Sequence, residues 1–257
     1  MTMKPIKQLC ADRLRVNVYA TRSEMGAAAG KAAAVRIRQL LEEKEQVNII
    51  FAAAPSQNET LDALVAAEGI DWSRVNAFHM DEYVGLSADA PQGFGNFLTE
   101  HLFGRLPFGK VYRLDPSAAD PQAECKRYAA LLKDYPTDLV CLGIGENGHL
   151  AFNDPGEAKF DDPEVVKVVK LDEVCRQQQV NDGCFASIDE VPTHALTLTI
   201  PTLMRAGHLV CTVPAPTKCE AVTLTVQGEV TDMVPATAMR SHGDAVMFCD
   251  ADSGAKL

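Results

Sequence analysis

The stretch from Gly143 to Gly156, GIGENGHLAFNDPG, crowds Glu146, Asn147, His149 and Asp154 into a glycine-punctuated loop behind the apolar run Asp138 to Ile144. Imidazole exchanges a proton near neutral pH and a carboxylate can orient it, while Gly143, Gly145 and Gly148 let the backbone turn tightly or approach a ligand closely. That is the composition of a proton-transfer site. The competing reading, a glycine-rich turn ahead of a helix, leaves the density of proton-handling groups unexplained.

A second candidate lies upstream, where the apolar run Val75 to Met80 ends in Asp81, Glu82 and Tyr83. Open α/β sheets bind ligands beyond the carboxyl ends of their strands, so a carboxylate pair there is placed to meet a ligand. The alternative is an acidic turn or helix cap. Two further polar spots follow apolar runs: Pro55 to Thr60, with Ser56, Gln57, Asn58 and Thr60, and Lys218 after Val213. The helix expected behind Asn58 could hold a phosphate on its first backbone N–H groups, although Ser56 or Asn58 could equally be a simple cap.

Short β-rich runs alternate with helical patterns around these residues: Arg15 to Tyr19, a helix from Ser23 to Glu45, Val47 to Ala54, a helix after Asn58, and Val75 to Met80. Further strands are expected at Asp138 to Ile144, Val165 to Leu171, His194 to Ile200, His208 to Val213 and Ala245 to Cys249, with helices at Gln122 to Lys133, Pro201 to Ala206 and Thr217 to Val226. Such alternation implies βαβ units and a mainly parallel sheet. It would bring Pro55 to Thr60, Asp81, His149 and Lys218 to one edge, each just past a strand end. No linker or repeat divides residues 1–257, and one α/β domain is expected.

A net charge of -11 and a pI near 5.0 oppose nucleic-acid binding, which needs a basic face. The eight cysteines form no CxxC pair, and Cys141, Cys211 and Cys249 sit in apolar runs, as reduced core residues of a cytoplasmic protein do. The amino terminus lacks an apolar stretch of signal-peptide length, and nowhere do about eighteen apolar residues run together, so no membrane partner is expected. His79 and His208 read as core residues, since no carboxylate–histidine spacing near them suits a metal. His242 stands at a strand entrance, from which it could approach the active edge.

Taken together, MDEYVGL at 80–86, GIGENGHLAFNDPG at 143–156, VPTHALTLTIPTL at 191–203 and VPAPTKCEAV at 213–222 resemble the glucosamine-6-phosphate deaminase (isomerase) family, in order and spacing along nearly the whole chain. The resemblance implies a three-layer α/β/α fold shared with phosphogluconolactonases and ribose-5-phosphate isomerase. It implies conversion of an amino-sugar phosphate to fructose 6-phosphate and ammonia. Histidine and carboxylates suffice for that aldose-to-ketose chemistry, which calls for neither metal nor redox cofactor. Asp81 then matches the proton-shuttling base, His149 the ring-opening acid/base, Asp154 the glutamate of the usual FNEP wording, and Lys218 the lysine that reaches the substrate phosphate. Arg176, in CRQQQVNDGCF, is a candidate second cation.

The chain also departs from the pattern. Asn147 stands where the family commonly writes aspartate; an amide can accept a hydrogen bond and fix the imidazole's tautomer, but it cannot stabilise imidazolium as a carboxylate does. Glu146 beside it is a candidate compensating charge. The loop AAAPSQNETL has no glycine, so Ser56, Gln57, Asn58 and Thr60 are left to receive the phosphate. The enzymatic alternative is 6-phosphogluconolactonase, which shares the fold and a similar turn, although MDEYVGL and the FNDP continuation favour the deaminase. A non-catalytic sugar-phosphate-sensing domain would need an added helix-turn-helix, and the first expected strand, within about fifteen residues of the start, leaves no room for it. Some family members are hexamers, so a homo-oligomer stands among the expectations.

Overall fold

The computed structural model describes residues 4–257. The chain opens with a hairpin of β1 (Lys7–Ala11) and β2 (Leu14–Val18), followed by α1 (Arg22–Glu43), β3 (Val47–Phe51), α2 (Asn58–Val65) and β4 (Val75–His79). Next come β5 (Asp81–Tyr83), α3 (Phe94–Leu98), β6 (Lys110–Tyr112), α4 (Pro121–Asp134) and β7 (Leu139–Leu142). The remainder is β8 (Val166–Lys170), α5 (Glu173–Asn181), β9 (His194–Leu198), α6 (Ile200–Met204), β10 (His208–Val213), α7 (Cys219–Gln227) and β11 (Ala245–Cys249).

Eight strands form the main sheet in the order β1-β2-β11-β10-β7-β3-β4-β6, parallel throughout except for the β1–β2 hairpin. Its strands are apolar runs because helices cover both faces. Ile50, Phe78, Val140 and Cys211 face one core, while Ile49, Phe51, Ala77 and Cys141 face the other. Each large apolar side chain removed from water here contributes about 1.5–3 kcal/mol. On one face α1 starts at Thr21, whose hydroxyl accepts the Glu24 N–H at 3.2 Å, and it packs closely on α2. A Cβ on Gly26 or Gly30 would fall 2.3 Å from Glu59 Cβ or 2.5 Å from Ala63 Cβ, so glycine sets that helix spacing.

From β3 the chain steps outward to β4 and β6, then returns to β7 on the other side of β3 and proceeds to β10 and β11. The reversal leaves a crevice at the carboxyl ends of β3 and β7, where doubly wound sheets bind ligands. The expected three-layer, mainly parallel α/β fold is what the chain adopts, with one correction. The runs at Val165 to Leu171 and His194 to Ile200 do not join the parallel sheet. They form β8 and β9 of a separate antiparallel sheet in the order β5-β9-β8. Asp81 is accordingly the first residue of β5 and not a loop residue past β4: the chain leaves β4 at Met80, whose carbonyl accepts the Leu198 N–H at 2.9 Å, and pairs Asp81 with Thr197.

All eight cysteines are free, and burial pushes the Cys141 thiol up to about 12. Among the described residues no helix is long and apolar enough to cross a membrane.

Candidate active site

A solvent-open cleft of about 510 Å³ lies at the β3–β7 crevice, and Ser56, Gln57, Asp81, His149 and Lys218 all line it. Sequence spacing placed these five at one edge, and the topology explains why. Two further liners, Gln178 and Gln179, come from α5, whose polar segment carries no apolar period to announce a helix.

Alternation along β5 separates the two neighbouring carboxylates. Asp81 faces the cleft. Glu82 points the other way, fully buried, and accepts the N–H groups of Tyr83, Phe94 and Gly95 at 2.9, 3.1 and 2.9 Å. Glu82 therefore anchors the turn into α3, while Asp81 has no side-chain hydrogen-bond partner among the described residues. Burial, and secondly the charge of Glu82, pushes the Asp81 carboxyl well above the usual carboxylate range.

His149 sits over Gly145, with Nδ1 3.0 Å from Asp154 Oδ1 but out of line for a well-aligned hydrogen bond. Burial pushes the Asp154 carboxyl upward, yet His149, the Asn147 amide and the Asp172 N–H outweigh it and hold the carboxyl below its usual value. The expected meeting of His149 and Asp154 is present. Asn147 requires a correction, because it does not touch the imidazole. Its Oδ1 accepts the His149 backbone N–H at 3.0 Å and its amide donates to Asp154 Oδ1 at 3.0 Å. The side chain folds back into its own loop and so cannot fix the ring's tautomer directly. Asn153 pins the same loop, donating to the carbonyls of Leu150 at 2.8 Å and of Leu198, on β9, at 2.7 Å.

A Cβ on Gly145 would lie 2.1–2.4 Å from three atoms of the His149 ring. Gly145→Ala is expected to displace the imidazole and lower kcat/KM by about tenfold or more while the fold persists. Steady-state kinetics alongside a circular-dichroism melt checks this. A fully active, normally folded variant would show that the ring does not act from this position.

The cationic end of the cleft is built from two equivalent turns on either side of β7. After β3, Ala54-Pro55-Ser56-Gln57 makes a 3-10 turn closed by Gln57 N–H to Ala54 O at 2.9 Å; after β10, Ala215-Pro216-Thr217-Lys218 does the same at 3.1 Å. Proline fixes the first residue of each turn. Ala215 adopts a left-handed φ of 83°, costly for a residue with a Cβ, and is held by its N–H bond to Asp250 Oδ2 at 2.9 Å. The turn delivers Lys218, 5% exposed, into the cleft, where it makes no ion pair among the described residues. Burial lowers its proton affinity, with the charges of Asp182 and Glu146 acting in the opposite sense. A desolvated ammonium without a counter-ion is an anion receptor.

Other expected site residues lie elsewhere. Thr60 is buried behind the cleft against Thr212, Oγ1 to Oγ1 3.1 Å, and the half-buried Asn58 does not line the cleft. Arg176 is not a second cation of the cleft: its guanidinium donates to the Ile188 and Val191 carbonyls at 2.6 and 2.9 Å, tying α5 to the following turn. His242 is bonded to Ala206 O at 2.8 Å at the amino end of β11, and in a parallel sheet that is the edge opposite the cleft. His79 is a core residue as expected, accepting the Leu114 N–H at 2.8 Å, and burial, helped by the charge of Arg113, lowers its ring to about 3. His208 is half-buried and pairs with Asp244 at 2.7 Å. Among the described residues, His149, Asp154 and Cys175 bring metal-ligating atoms within 4.8 Å of one another. Asp154 is shared there between His149 and the Asn147 amide.

Proton-exchanging groups and a buried cation at the switch point of a doubly wound sheet define an α/β protein built to handle a small anion. The chain belongs to the glucosamine-6-phosphate isomerases/6-phosphogluconolactonase family, whose model matches residues 20–248. It is 38% identical to a glucosamine-6-phosphate deaminase of Lactobacillus delbrueckii subsp. bulgaricus over 80% of this chain and 86% of that protein. It is likewise 38% identical to one from Bacillus cereus over 72% and 68%. A monomeric glucosamine-6-phosphate deaminase of known structure superposes with a TM-score of 0.86 at 29% identity, over 94% of this chain and 99% of that one. The 6-phosphogluconolactonase of Thermotoga maritima shares the fold, with a TM-score of 0.76 at 19% identity over 92% and 99%.

Proposed function

We propose that this protein is a glucosamine-6-phosphate deaminase, converting glucosamine 6-phosphate to fructose 6-phosphate and ammonia, and that Asp81, His149 and Lys218 carry the reaction. The observation that supports these roles is the convergence of an unpaired carboxylate, a carboxylate-backed imidazole and an unpaired ammonium on one cleft. Lys218 binds the substrate phosphate, with Ser56 and Gln57 across the cleft as neutral donors. His149, backed by Asp154, moves the proton between the ring oxygen and the anomeric hydroxyl that opens the pyranose. Asp81 then takes the C2 proton of the open chain and returns it to C1. The resulting C2 imine adds water and expels ammonia.

A lactonase would need only a base for water and has no use for proton transfer between carbons. The deaminase relatives therefore count together with Asp81 in favour of the deaminase. Residues 1–257 act as one catalytic unit in this reading. A cytoplasmic setting fits its free cysteines and phosphorylated substrate.

Purified protein is expected to release ammonia from glucosamine 6-phosphate at a rate unchanged by chelator, since imidazole and carboxylates supply the proton transfers. Ammonia release should be measured against galactosamine 6-phosphate and 6-phosphogluconolactone in parallel. Inactivity on both amino sugars together with hydrolysis of the lactone would overturn the assignment.

A further inference from the structure

Asn147 is bonded on three sides, each time to a different part of the active site. Its amide nitrogen donates to Asp154 Oδ1 at 3.0 Å and to Asp172 Oδ2 at 3.1 Å, and its Oδ1 accepts the His149 N–H at 3.0 Å. With both hydrogens and the oxygen engaged, the amide has one orientation. Asp172 is the amino-terminal cap of α5: its Oδ1 accepts the Cys175 N–H, and its own N–H reaches Asp154 Oδ2 at 3.4 Å. That helix brings Gln178 and Gln179 to the cleft, and Gln178 Oε1 takes the Glu146 N–H at 2.8 Å. The negative charge absent from position 147 is thus present twenty-five residues further on, one amide away from the His149–Asp154 pair.

We propose that Asn147 and Asp172 are a positioning pair: the amide bridges two carboxylates, so that Asp172 lends its charge to the His149–Asp154 pair while the same contact seats α5 and its cleft-facing glutamines. This deepens the assignment above and rests on His149 as the ring-opening group. The other ionisable groups around the pair are Glu146 on the same loop, Cys175 on α5, Asp182 just past its carboxyl end, Asp81 on β5 and Lys218 beyond β10. None of them bonds to Asn147. A carboxylate at position 147 would face two others about 3 Å away with no hydrogen to share, an arrangement in which the groups cannot all ionise.

Three variants test the pair. Asp172→Asn removes the charge and leaves one acceptor oxygen, which can serve the Cys175 N–H or the Asn147 amide but not both. The His149 ring, followed by NMR in the free protein and assigned against His149→Gln, should then lose its proton more readily than in the wild type. The matching limb of the kcat/KM profile should move the same way. Asn147→Asp is expected to lower kcat/KM about a hundredfold. Combining Asn147→Asp with Asp172→Asn moves the amide to the other end of the bond and should recover roughly tenfold of that loss. A clamp with a purely structural role would shift melting temperatures and leave the His149 titration in place. That result, or a double variant no more active than Asn147→Asp alone, overturns the proposal. The NMR titration needs no turnover, so a wild-type protein that releases no ammonia would refute the functional assignment while the coupling is still read out.

Discussion

Asp81→Asn is expected to reduce turnover of glucosamine 6-phosphate by roughly two to four orders of magnitude with little change in KM. The substitution keeps the shape of the side chain at the cleft and removes its basicity. Glu82 cannot replace it, because both Glu82 oxygens are occupied by the backbone of Tyr83, Phe94 and Gly95. The wild-type pH profile carries a second expectation. In its proposed role Asp81 must be ionised to accept the C2 proton, and burial together with Glu82 raises its proton affinity, so activity should fall with acid at a pH above the ordinary carboxylate range. Stability should run the opposite way. A carboxyl raised in the folded state binds its proton more tightly there than in the unfolded chain, so stability falls as pH rises from about 4 through the raised value. Asp81→Asn removes that penalty and should melt higher than the wild type at neutral pH, the gap closing on acidification. An inactive variant that also melts lower would point to a structural role.

The parts of this site that could be read from the sequence are those where chemistry coincides with a strand end. His149, Asp81 and Lys218 each follow an apolar run, and a parallel sheet sends every such position to one edge. What could not be read depends on directions that no local pattern encodes. Asp81 and Glu82 are adjacent letters, and only the pairing of β5 with β9 decides which of them faces the cleft. Arg176 and Gln179 lie on the same short helix, and the cationic member turns to carbonyls of the next loop while the neutral one faces the cleft. β5 and β6 have three residues each, too few for an alternation to register. Asn147 was legible as a departure but not as a contact, since its partner Asp172 caps a helix whose polar sequence carries no amphipathic signal.

Lys218→Met should lower kcat/KM for the phosphorylated substrate by about a hundredfold, chiefly through KM, and at the same time make the free protein more stable. Both effects have one cause. The ammonium is buried without an ion-pair partner among the described residues, and burial is the largest influence depressing its proton affinity. In the free enzyme this desolvated charge opposes folding; in the proposed role a bound phosphate would supply the missing partner. Replacing it with an apolar side chain of similar length should stabilise the fold by about 1–2 kcal/mol, a rise of roughly 2–8 °C in melting temperature for a chain of this size. The pH dependence follows from the direction of the shift. Unfolded lysine holds its proton up to about 10.5 while folded Lys218 releases it earlier, so wild-type stability rises with pH through that window and the advantage of Lys218→Met shrinks. Inorganic phosphate should raise the melting temperature of the wild type and leave that of Lys218→Met nearly unchanged. Equal stabilisation of both proteins by phosphate would place the anion site elsewhere than at Lys218.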